Sequence, residues 1–128
     1  MNISSTFHSP ETTADAEAIY RESRHPIYLS GGQEVILRLR HELEHISDLI
    51  DLSNIDELHG VHAEGSTLSI GAGENHAAIA GSAVVAHKAP VLSDLASKIG
   101  DSQTRNRGTI GGAIASKTRS SDWNAALL

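Results

Sequence analysis

The chain has 128 residues, the size of one ordinary domain, with a formal net charge of -6 and a pI near 5.7, a balance that excludes a nucleic-acid binder held mainly by phosphate contacts. Aromatic residues make up 3% and cysteine is absent, which excludes a base-stacking platform, disulfides, thiolate metal sites and an iron–sulfur cluster ligated by this chain. No apolar h-region follows Met1 and no apolar run approaches the length of a membrane span, so the expectation is a soluble, cytoplasmic protein.

In chain order, Phe7-His8-Ser9-Pro10 reads as a short edge strand stopped by proline. Thr12 is placed to cap a helix, with Asp15 three residues on, and Ala16, Ile19 and Tyr20 recur at helical spacing. His25-Pro26 closes that element, because the residue before proline avoids the α region. Ile27-Tyr28-Leu29 is a short apolar strand, and Ser30-Gly31-Gly32-Gln33 turns it into a second helix whose buried stripe is Val35, Ile36, Leu39 and Leu43. Asp48 to Leu52 is a third strand, completing a β-α-β unit that is most simply parallel and right-handed. A turn at Asn54 to Leu58 leads into an antiparallel hairpin: Val61-His62, a turn at Glu64-Gly65, and Thr67 to Ile70 with Leu68 and Ile70 on one side. Two short helical stretches follow, Asn75 to Ala80 and Ser82 to His87. Pro90 opens a longer helix to Ile99, with Leu92, Leu95, Ala96 and Ile99 on one face. Ser121 caps a last helix with Asp122 in its first turn. Two leucines at a terminus one turn into an amphipathic helix are unusual, and the sequence reads as cut short.

Two glycine segments stand out. Leu29-Ser30-Gly31-Gly32-Gln33-Glu34 joins a strand to a helix, a succession in which unpaired amides and the helix dipole point the same way. Residues 100–122, GDSQTRNRGTIGGAIASKTRSSD, form the second. There Gly108 and Gly111-Gly112 bracket Thr109-Ile110, so the main chain carries little side-chain bulk. Glycine permits positive φ and close approach of another group, and such a turn can present N–H donors to an anion. Arg105 and Arg107 sit just upstream. The plain alternative is a glycine-rich turn between strands with solvated arginines.

Other patterns carry less. His41-Glu42-Leu43-Glu44-His45 matches H-E-x-x-H, which sets two histidines one helical turn apart as ligands of one metal, with His59, His62 or Glu64 as a third. The segment lies at an exposed helix end among eight histidines, and a solvated helix end is the expectation, with no metal site. Gly71-Ala72-Gly73 begins like a dinucleotide fingerprint, but His76 stands where the third glycine belongs and a hairpin precedes it. His76 and His87 read as surface or helix-end residues.

With both glycine segments placed, the chain resembles the FAD-binding domain of the molybdenum hydroxylase flavoproteins (PCMH-type), a family that includes the medium subunit of carbon monoxide dehydrogenase and the flavin domain of xanthine dehydrogenase. The resemblance runs from about Phe7 to Leu128. It rests on Leu29-Ser30-Gly31-Gly32-Gln33, Leu49-Ile50-Asp51-Leu52, Leu68-Ser69-Ile70-Gly71-Ala72, and above all Ile99 to Gly112 with Asp122. It implies an α+β fold: residues 1–58 as an N-terminal β-α-β FAD-binding subdomain, and residues 59–128 as the first part of a second, mixed helical and antiparallel one. It also implies that Leu29, Ser30, Gly31, Gly32, Gln33 and Glu34, with Thr109, Ile110, Gly111, Gly112 and Ala113, wrap the FAD diphosphate, and that Asp122 contacts the cofactor. No catalytic residue is implied, because the flavin carries the chemistry. The implied partners are a molybdopterin-binding large subunit and an iron–sulfur small subunit, with electrons passing from the clusters by way of FAD to an external acceptor.

The chain departs from that pattern in two places. Ala113 stands where the family usually has Asn or Ser, and Thr118-Arg119-Ser120 replaces an Asp-Pro segment. Family flavoproteins also run to roughly twice this length and place much of the flavin-ring environment in the remainder. Three readings therefore stand: an FAD-binding electron-transfer module; a degenerate domain that keeps the fold and a partner surface but holds flavin weakly or not at all; and, more distantly, a small metalloprotein using His41 and His45.

Overall fold

A computed structural model describes residues 5–32, 46–116 and 122–127. The chain divides into two compact units, Met1–Glu57 and Leu58–Leu128, each described by itself. Among the described residues no helix is long and apolar enough to cross a membrane.

The first unit is a three-stranded parallel sheet with a helix on it. Strands β1 (Thr6–His8), β2 (Pro26–Leu29) and β3 (Asp48–Asp51) pair in the order β1-β3-β2, with Phe7 and Ile27 both opposite Leu49. The edge strand and the parallel β2–β3 pair are as the sequence predicts. Helix α1 (Thr13–Glu22) starts where Thr12 Oγ1 accepts the Asp15 N–H at 3.1 Å. It ends three residues before Pro26, at Ser23, whose N–H and hydroxyl both donate to the Ile19 carbonyl. Ala16, Ile50 and Ile55 are buried, each fully buried isoleucine contributing about 1.5–3 kcal/mol. Tyr20 and Tyr28 stack with centroids 4.6 Å apart.

The second unit carries the hairpin β4 (Val61–Glu64) and β5 (Thr67–Ile70), antiparallel, with Gly65 at φ 57 in its turn. Short helices follow: α2 (His76–Gly81), capped by Asn75, α3 (Ala83–Lys88), capped by Ser82, and α4 (Pro90–Lys98), with proline in its first turn. Then come α5 (Ser102–Arg107), α6 (Ile110–Ala115) and α7 (Asp122–Ala126). The core is Ile79, Val85, Ala96, Ile110 and Trp123, with Val61, Leu68, Ile70, Leu92, Leu95 and Ile99 packed on it. The apolar faces expected of the hairpin and of α4 are thus the ones that turn inward. Helix α5 has no apolar period to announce it; Asp101 starts it by accepting the Thr104 N–H at 2.7 Å. Hydrogen bonding to Thr104 is the main reason the Asp101 carboxyl lies below its ordinary range.

Candidate functional site

The first glycine segment continues β2. Leu29 closes the strand, its carbonyl accepting the Leu52 N–H at 2.9 Å, and Ser30, Gly31 and Gly32 follow, only partly buried. Gly32 has φ 75, a left-handed conformation that costs other residues about 1–2 kcal/mol. The segment therefore lies beyond the carboxyl end of a parallel strand, the edge at which open parallel sheets take their ligands. Gln33, Glu34, the predicted helix with Val35 and Leu43, and the histidine pair His41 and His45 lie outside the described residues.

The second segment differs from the turn that its glycines suggest. It is the start of α6, with Thr109 as the cap, its Oγ1 accepting the Gly112 N–H at 3.1 Å. Thr109 also forms an antiparallel bridge with Asn75. That bridge brings carbonyls of the preceding loop onto the segment's amides: Ile110 N–H donates to Glu74 O at 3.0 Å and Gly111 N–H to Ala72 O at 2.8 Å. The amides of Ile110, Gly111 and Gly112 thus all donate within the protein. The glycines are needed here for closeness. A Cβ on Gly111 would fall 2.6 Å from Ala72 O, and one on Gly108, whose φ is -61, would fall 2.8 Å from His76 Nε2. Ala113 packs against the apolar core, so a methyl suits that position. Arg105 is partly buried, and its Nη1 donates to the carbonyls of Ile99 and Gly100 at 3.1 and 2.9 Å, closing the end of α4.

His76 corrects the expectation of a surface histidine. It is only 4% exposed, and its Nδ1 accepts the Trp123 indole N–H at 3.1 Å, the rings lying 24° from parallel. Burial pushes the imidazole below its ordinary pKa, and the bond from Trp123 requires a neutral ring with its proton on Nε2. Its backbone N–H donates to Gly108 O at 3.0 Å. The chain's single tryptophan was the available signal, since a buried indole N–H seeks an acceptor.

Asp122 opens α7 with an exposed side chain, and α7 packs against α6 and α4. Within the second unit, the structure therefore gathers Thr109, Ile110, Gly111, Gly112 and Ala113 on one short helix start and sets Asp122 on the helix packed beside it. Leu29, Ser30, Gly31 and Gly32 belong to the first unit. Among the described residues no three His, Asp or Glu side chains stand close enough to hold a metal ion. His59 Nδ1 lies 3.9 Å from Glu74 Oε1, and Glu74 also accepts the Gly60 N–H at 2.6 Å.

Known proteins share this sequence pattern and this fold. Residues 2–128 match the family model described as the FAD binding domain in molybdopterin dehydrogenase. The carbon monoxide dehydrogenase medium chain of Hydrogenophaga pseudoflava is 36% identical over 110 residues, 85% of this chain and 38% of that one. The xanthine dehydrogenase FAD-binding subunit of Escherichia coli is 30% identical over 118 residues, 91% of this chain and 40% of that one. Among solved structures, carbon monoxide dehydrogenase from Hydrogenophaga pseudoflava superposes with a TM-score of 0.90 at 32% identity, covering 95% of this chain and 43% of that one. The chain thus spans about two fifths of the length of these relatives.

Proposed function

Because the chain belongs to the family of FAD-binding domains of molybdopterin dehydrogenases, we propose that it serves as the FAD-holding electron-transfer module of a molybdenum hydroxylase-type oxidoreductase. FAD is the family's cofactor. When bound, it supplies the redox chemistry that links partner iron–sulfur clusters to an external acceptor. Relatives named as medium chains support a large molybdopterin-binding subunit and a small iron–sulfur subunit as partners.

The shape of the main chain suits such a cofactor. Leu29, Ser30, Gly31, Gly32, Gln33 and Glu34 would hold the diphosphate where the main chain is bare and left-handed at Gly32. Thr109, Ile110, Gly111, Gly112 and Ala113 would contribute a smooth main-chain surface more than free amides, because three of those amides are engaged. Asp122, exposed, would accept hydrogen bonds from cofactor hydroxyls. We assign the first group to a subdomain of residues 1–58 and the second to residues 59–128. No side chain needs to act as acid or base.

The observation that carries this reading is the Gly31-Gly32 turn, with Gly32 at φ 75, beyond the carboxyl end of parallel β2. The visible spectrum of the purified chain tests it, as isolated and after addition of FAD and removal of the excess. Retained oxidised flavin colours the protein yellow; a folded chain that stays colourless overturns the proposal. A second reading has one observation in its favour. The engaged amides of Ile110, Gly111 and Gly112 suit a domain that keeps the fold and a partner surface while holding FAD weakly.

A further inference from the structure

We propose that His76 is a positioning residue, holding α7, and with it Asp122, against the helix start at Thr109; this rests on the FAD reading above. His76 is the first residue of α2, fixed there by its backbone bond to Gly108 O at 3.0 Å. Asn75 Nδ2, which donates to Asn106 O at 3.1 Å, secures the neighbouring residue. The His76 imidazole lies against Gly108 with its Nε2 edge and accepts the Trp123 indole N–H on Nδ1 at 3.1 Å. One residue therefore touches both the position just before Thr109 and the position just after Asp122. Both side chains are buried, Trp123 at 1% exposure, so water does not replace this bond if it breaks. Gly108 completes the arrangement, since a Cβ there would press on His76 Nε2.

The bond also makes the arrangement sensitive to acid. A second proton, on Nδ1, would set two donors face to face and release the indole. The lowered basicity of the ring comes from burial alone. The charged groups on the surrounding elements are committed or exposed. On α4, Lys98 pairs with Asp94 at the surface; on α5, Arg105 holds carbonyls and Arg107 is exposed. On α3, His87 is exposed and Lys88 reaches Gly65 O; on α7, Asp122 is exposed. None of them supplies a counter-charge to a protonated His76.

Trp123 is the chain's only tryptophan, so its fluorescence reports the bond with or without flavin. The wild-type emission should change in one step below the ordinary histidine value of 6.5. FAD affinity, from flavin fluorescence titrations at the same pH values, should fall with the same midpoint. His76→Asn, which keeps an acceptor near the Nδ1 position but does not titrate, should lose both steps and keep its neutral-pH affinity within about twofold. Trp123→Phe should lower FAD affinity at neutral pH by about fivefold, the loss of one neutral hydrogen bond, while circular dichroism shows it folded. Absence of the emission step, or folded Trp123→Phe binding FAD as wild type does, overturns the positioning role and leaves the FAD reading intact. An emission step with no flavin binding at any pH overturns the FAD reading and the positioning role with it.

Discussion

The two glycine segments look alike in sequence, each a Gly-Gly pair within two residues of a hydroxyl side chain, Ser30 or Thr109, yet the structure uses glycine for different reasons in each. At Gly32 the reason is conformational: φ is 75 and the residue is only partly buried. At Gly108 and Gly111 it is proximity, because His76 and Ala72 occupy the space a Cβ would take. The first segment lies at the end of a parallel strand, the edge at which open parallel sheets take their ligands. The second spends its bareness on the protein itself. A glycine pair therefore marks a place where something comes close to the backbone, and only the fold says whether that something is cofactor or carbonyl.

Substitutions separate the two cases. Gly111→Val should have the largest effect. Its side chain would overlap the Ala72 carbonyl, and overpacking of this kind costs about 3 kcal/mol, lowering the second unit's melting temperature by more than about 10 °C. Calorimetry checks this, and an unchanged melting temperature would mean that the close approach is not rigid. Gly32→Ala should cost less, about 1–2 kcal/mol from the left-handed backbone alone, read as a shift of the urea midpoint for the first unit. Asp122→Asn should leave stability within about 0.5 kcal/mol, as exposed positions usually do. Its FAD affinity should fall by about tenfold, a carboxylate hydrogen bond being worth about 1.5–3 kcal/mol. Equal affinity in isothermal titration would remove Asp122 from the site.

The smallest effect concerns acid, and here too the regions differ. In the first unit, hydrogen bonds from Ser47 at 2.5 Å and then from His8 at 2.7 Å hold the Asp48 carboxyl below its ordinary value of 3.8. A carboxyl lowered in the folded state contributes stability above that value and loses it as pH falls below it. In the second unit, neutral His76 contributes above about 6.5 and loses its contribution as pH falls below that. Acid melting curves should therefore show the second unit weakening first. Asp48→Asn should flatten only the lower limb, by a degree or so of melting temperature at most.

Much of this was legible from local chemistry. Thr12, Asn75, Ser82 and Pro90 announced helix starts, and the alternation at Leu68 and Ile70 announced the hairpin's inward face, because caps and periods act over a few residues. The helix α5 was not legible, having only its Asp101 cap and no apolar stripe. The fate of the amides after Thr109 was not legible either. It depends on the bridge to Asn75, a pairing across more than thirty residues that no local pattern encodes. His76 was misread for the same reason: its burial comes from Gly108 and Trp123, which approach it only in the fold.

The role proposed for this chain stands on its holding FAD, with the diphosphate gripped by the first glycine segment. The most direct test is a titration of FAD, with ADP as competitor, into the wild-type chain and into Gly32→Val, both verified as folded by circular dichroism. Saturable binding that ADP displaces is expected, weakened by at least about tenfold in the variant, from lost contacts to a charged acceptor. Binding of equal strength in the two proteins, or binding that excess ADP leaves unchanged, would contradict it.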